Sequence, residues 1–177
     1  MYIPEQKDPV EALQAAMPDM IESVKVFRDE TTIVVAPENV VTVLRYLRDT
    51  TGLIYNFLSD ISAVDYHPEY NRPARFGVSY HIYSMLYNHN LRVKTFVDEG
   101  ETIPTATVIW LGADWLEREI MDLMGIMFEG HPDPRRLLMP KDWDGHPHRR
   151  DYPLGYETIQ FSFNIDEIMK HKPFAKE

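Results

Sequence analysis

Reactive residue types crowd into one stretch of this chain, Trp115 to Pro153, which reads WLEREIMDLMGIMFEGHPDPRRLLMPKDWDGHPHRRDYP. His131, His146 and His148 could offer imidazole nitrogens to a metal ion, and Asp144 a carboxylate. The His146-Pro147-His148 step puts two rings on one side of an extended backbone. Arginines beside these histidines disfavour a bound cation, which weighs against a metal. Glu117 and Glu119 could form an acid/base pair, but at i and i+2 on a helix they point apart. No Gly-rich phosphate loop and no nucleophile motif is present. The chain has no Cys, so it offers no thiolate to zinc or to an iron–sulfur cluster. What remains is complementary charge. Glu117, Glu119 and Asp122 precede Arg135, Arg136, Arg149 and Arg150, and carboxylates can hold guanidinium groups through bidentate, charge-assisted bonds.

The elements that must position these groups are legible in outline. Leu116, Ile120, Leu123, Met124 and Met127 recur at helical spacing and predict one apolar stripe. Glu117 and Glu119 flank it, and Arg118 and Asp122 on the far face are spaced to pair. Gly125 is a natural helix stop. Beyond it, His131-Pro132-Asp133-Pro134-Arg135-Arg136 cannot be helix interior, because Pro removes a donor and fixes φ. Trp143 and Tyr152 sit in the turns that follow. From His131 to Arg150 there are five Lys and Arg against three Asp, whereas the rest of the chain has thirteen basic against twenty-five acidic residues. A basic segment on an acidic protein is a candidate docking surface, with Trp143 as its apolar anchor.

The same residues carry a resemblance. Glu117-Arg118-Glu119, Asp122, Leu123-Met124, His131, Arg135 and Leu137-Leu138 match the signature of the 30 kDa subunit of respiratory complex I. The continuation through Pro140-Lys141-Asp142-Trp143, Gly145-His146-Pro147 and Arg149-Arg150-Asp151-Tyr152-Pro153-Leu154 is similar to that family, as is the run from Asn56 to Tyr66. The resemblance implies a non-catalytic structural subunit of a proton-translocating NADH:quinone oxidoreductase, with no cofactor of its own. The parent complex it implies uses FMN, iron–sulfur clusters, NADH and quinone. The implied partners are the quinone-site subunit and other peripheral-arm subunits, on the cytoplasmic side of the cell membrane. A membrane-bound hydrogenase or a ferredoxin- or coenzyme-linked dehydrogenase would use a homologous subunit. From a different class stands a free metal-dependent hydrolase built on the His131, His146, His148, Asp144 and Glu117 set, which the absent nucleophile and cofactor loop disfavour.

Bulk properties fit a docking role. The 177 residues suffice for one domain with a real core. A net charge of −10 argues against nucleic acid as the main partner. No run is apolar enough to span a bilayer, and the first residues resemble neither a signal nor a transit peptide, so membrane association is expected only through the complex.

The remaining pattern predicts an α+β fold, an antiparallel sheet covered by helices. Asp8 and Pro9 open a first helix, with Val10, Leu13 and Met17 on one face. Val24–Val26 and Thr32–Val35 form a hairpin around Asp29-Glu30. Pro37 opens a second helix whose stripe is Val40, Val43, Leu44 and Leu47. Residues 54–65 make a strand of imperfect alternation. A clean one carries Phe76, Val78, Tyr80 and Ile82 inward and Arg75, Ser79 and His81 outward, and a return strand carries Leu91, Val93 and Val97. The core domain is expected over 1–130 and an extended Pro/Arg-rich docking arm over 131–177. That arm holds six of the thirteen prolines, the aromatic residues Tyr156, Phe161, Phe163 and Phe174, and one short helical candidate at 165–169.

Overall fold

The structure, a computed structural model, describes residues 4–68 and 71–153. The first helix, α1 (Pro9–Ala16), starts as its sequence dictates. Asp8 accepts hydrogen bonds from the backbone N–H groups of Val10 and Glu11 at 2.8 and 2.9 Å, which satisfies two donors that a helix start leaves open. Leu13 then drops into the core. A hairpin follows, β1 (Ile21–Phe27) and β2 (Glu30–Val35). Its turn is Arg28-Asp29, both at positive φ (51° and 63°), one residue earlier than the sequence suggests. Two left-handed residues match the twist of the strands they join.

Helix α2 (Val40–Asp49) buries Val40, Val43, Leu44 and Leu47 completely, the stripe its 3.6-residue period predicts. Strands β3 (Phe57–Asp65), β4 (Phe76–Ser84) and β5 (His89–Val97) then form an antiparallel meander. The uneven alternation of β3 has a cause in its register, which shifts between Leu58 and Asp60 opposite β4. On β4 the inward residues Phe76, Val78, Tyr80 and Ile82 are all buried, as expected.

The strand order is β1-β2-β5-β4-β3. The fold is α+β as expected, but the sheet is mixed rather than purely antiparallel. Strands β2 and β5 pair in parallel, Thr32 opposite Arg92 and Val34 opposite Lys94. Alternation reports which face a strand buries, not the direction of its neighbour, so the pattern does not reveal this pairing. Helix α3 (Ala113–Met124) lies against β3. It ends at Gly125 with φ 74°, and Met127 belongs not to its stripe but to a short strand, β7 (Met127–Glu129), parallel to β6 (Thr102–Pro104). After β7 the described residues contain no further helix or strand, and 131–153 runs along α3 and the end of the sheet. The expected helix at 165–169 and the aromatics from Tyr156 to Phe174 lie outside the described residues. No helix among the described residues is long and apolar enough to cross a membrane.

Candidate functional site

Helix α3 buries charge along with its apolar stripe. Glu117, Arg118 and Asp122 are 0, 8 and 1% exposed, beside Ile120, Leu123 and Met124, whereas Glu119 is exposed. Charges placed so deep need partners. Glu117 finds its partners in the strand-to-helix connection. One carboxylate oxygen accepts the Thr105 hydroxyl at 2.5 Å, and the other accepts the Ala106 N–H at 2.6 Å, capping the single helical turn Ala106–Val108. His131 Nε2 lies 3.2 Å from Asp114 and 3.8 Å from Glu117. The Asp133 N–H donates to His131 Nδ1 at 3.1 Å, so the ring proton sits on Nε2 and is donated to the Asp114 backbone carbonyl at 3.3 Å. Burial pushes the Glu117 carboxyl above the usual Glu range, and the bonds from Thr105 and Ala106 only partly offset it. Glu117 does not hold an arginine, contrary to the expectation from charge complementarity.

The other end of α3 is built differently. One oxygen of Asp122 accepts three successive backbone N–H groups, from Leu137, Leu138 and Met139, at 2.9, 2.7 and 2.8 Å. The other oxygen takes Arg136 Nη1 at 2.9 Å. Burial works against this carboxylate, but the three N–H groups and the guanidinium outweigh it and hold Asp122 below the usual Asp range. The expected pair of Arg118 with Asp122 does not form. Arg118 reaches instead to the carbonyls of Arg135 and Arg136 at 3.0 and 3.4 Å, and stacks on Trp115. Four-residue spacing permits a pair, but each group has stronger competition from the loop.

The loop also closes the helix C-terminus, whose last carbonyls have no partner within the helix. His146 Nδ1 donates to the Asp122 carbonyl at 2.9 Å, the His148 N–H to Leu123 at 2.9 Å and Arg149 Nε to Met124 at 2.7 Å. A cation there also meets the negative end of the helix dipole. Gly125 makes the approach possible. Besides its positive φ, a Cβ there would stand 2.6 Å from both Arg149 and His146. His131 and His146 thus serve opposite ends of α3. Among the described residues, no group of three or more His, Asp or Glu side chains is placed to hold a metal.

The remaining motif residues make local contacts. Arg135 is exposed and pairs with Asp133 at 2.6 Å. The half-buried Trp143 donates its backbone N–H to Pro140, and the Tyr152 hydroxyl bonds the Asp144 carbonyl at 3.2 Å. The Arg150 N–H bonds the buried Asp65 at 2.9 Å, and Asp151 pairs with Arg75 at 2.7 Å. Sequence reasoning misses the roles of Thr105, Asp65 and Arg75, which meet these groups, and of Glu99, which takes Arg149. In the sequence Asp65 falls in the strand of imperfect alternation and in the run from Asn56 to Tyr66 that resembles the family, whereas Arg75 reads only as a polar-face residue. The available signals are that run and the place of Asp65 and Arg75 at the end of β3 and the entry to β4.

The family model described as "Respiratory-chain NADH dehydrogenase, 30 Kd subunit" matches residues 33–158, most of the fold and the whole of this site. The chain belongs to that family. Among its relatives, an NADH-quinone oxidoreductase subunit of Roseiflexus sp. (strain RS-1) is 46% identical over 95% of both chains. The mitochondrial NADH-ubiquinone oxidoreductase 30.4 kDa subunit of Neurospora crassa is 40% identical over 84% of this chain and 52% of its own length. Among solved structures, the trypsin-resistant fragment (1–134) of Nqo5 superposes with a TM-score of 0.62 at 30% identity, covering 71% of this chain and 99% of the fragment. The motif this chain shares with the 30 kDa family lies along α3 and the segment after it. Its charged residues hold a loop.

Proposed function

We propose that this chain is a non-catalytic structural subunit of the peripheral arm of a proton-translocating NADH:quinone oxidoreductase, docked on the quinone-site subunit by the arm spanning 131–177. The observation that carries this reading is the use of the motif. Asp122, Arg118, His146 and Arg149 are spent on backbone groups of a Pro-bounded loop and on the helix end. Residues so engaged hold the loop in one conformation and present a preformed surface. A preformed segment loses less conformational freedom on binding, which favours association. Pro132, Pro134 and Pro147 act in the same direction.

In this reading the chain carries no cofactor. FMN, the iron–sulfur clusters, NADH and quinone belong to the other subunits, and the chain reaches the cytoplasmic side of the membrane only through them. Arg135, the exposed side of Trp143 and the residues after Pro153 form the contact with the quinone-site partner. Truncation after Pro153 tests the proposal. The shortened chain should keep its far-UV circular dichroism, fail to co-purify with the quinone-site subunit and lower quinone-linked NADH oxidation in membranes. Full assembly and activity of the shortened chain would refute it.

A further inference from the structure

The last described residues are held by the far end of the sheet rather than by α3. Arg75, at the entry to β4, donates Nε and Nη2 to the Asp65 carboxylate at 3.2 and 3.0 Å, Nη1 to Glu99 at 3.0 Å and Nη2 to Asp151 at 2.7 Å. Asp65 also accepts the N–H groups of His67 and Arg150, both at 2.9 Å. Arg149 reaches the other oxygen of Glu99. Both guanidinium groups lie over the Phe76 ring, 4.8 and 5.5 Å from its centre. One cation therefore joins the end of β3, the start of β4, the turn after β5 and the arm.

The network has an inner and an outer shell. The Asp65 side chain is fully buried and Arg75 is 15% exposed, while Asp151 and Glu99 are 43 and 55% exposed. The inner pair would suffice to close the sheet. The outer contact to Asp151 reaches across 76 residues, and the buried Asp65 itself reaches across 85 to the Arg150 N–H, so the two shells fix two successive positions of the arm just before Pro153. The following Pro further restricts Tyr152. We infer that Arg75 is a positioning residue for assembly, whose clasp on Asp151 and Glu99 sets the direction in which the chain leaves the domain at Pro153 before any partner arrives. The inference rests on the docking reading of the arm.

The absence of Cys allows a clean test on the full-length chain. Spin labels on Glu22→Cys and Pro153→Cys should give a narrow distance distribution. Replacing Asp151→Asn together with Glu99→Gln leaves the inner Asp65–Arg75 pair intact. It should barely move the melting temperature, since exposed ion pairs add little. The distribution should broaden about twofold, and capture by the quinone-site subunit should weaken on the order of tenfold, because ordering then falls on the docking step. Asp151→Glu with native Glu99 should restore both. A distribution as narrow as that of the unaltered chain, with assembly still lost on truncation after Pro153, would overturn the clasp alone. Assembly of the truncated chain would overturn the docking reading and the clasp with it.

Discussion

The two ends of helix α3 solve one problem, a buried carboxylate, in opposite ways. Glu117 has two neutral donors and sits above its ordinary pKa. Asp122 has three backbone N–H groups and a guanidinium and sits below it. The difference follows the work each does. Glu117 closes a turn that is already part of the core. Asp122 holds a loop with no regular structure, whose N–H groups have nowhere else to go. The fold therefore favours protonation at one end of the helix and ionisation at the other.

The hardest test of this contrast is Asp122→Ala. It should destabilise the isolated chain by about 3–5 kcal/mol in urea melts, because it strands three N–H groups and a half-buried Arg136. Next comes Arg149→Ala, which removes a helix-end donor and a partly exposed ion pair. A loss of about 1–2 kcal/mol would assign Arg149 chiefly to the fold. An unchanged melt with lost assembly would assign it to the partner contact instead. Glu117→Gln keeps the shape and an acceptor, and should cost no more than about 1 kcal/mol near neutral pH.

The pH dependence separates the two carboxylates further. Asp122 has a lowered folded pKa, so its contribution is present above the unfolded Asp value and is lost as pH falls through the folded one. The difference between Asp122→Asn and the unaltered chain should thus be constant near neutrality and close only in strong acid. Glu117 has a raised folded pKa, so its contribution is present below the unfolded Glu value and is lost as pH rises through the folded one. Glu117→Gln should remove that slope. Equal slopes in melting temperature against pH for both variants would erase the contrast.

The two ends are not equally legible in the sequence. The stripe of α2, the cap at Asp8, the inward faces of β4 and β5 and the stop at Gly125 follow from periods and local chemistry, and all are in the structure. The charged residues of the motif are legible as a set, but their pairing is not. Spacing along α3 suggests Arg118 with Asp122, while the true partners are 14 to 18 residues away in an irregular loop. Arg75 with Asp151 spans 76 residues, which no local pattern encodes. Chemical type is written residue by residue, whereas partnership between distant residues is fixed only by the fold.

The parallel pairing of β2 with β5 sets an order of events during synthesis. Thr32 waits for Arg92, 60 residues later, before the β1–β2 hairpin gains its neighbour. At about 5–20 residues per second the wait on the ribosome is roughly 3–12 s. Through that time β2 offers an unpaired edge beside Val26 and Phe27, which stay 67 and 61% exposed even in the finished domain. An unpaired edge with apolar neighbours is a template for wrong strands. The nascent hairpin thus carries two open edges, those of β1 and β2, and the completed sheet closes the one on β2.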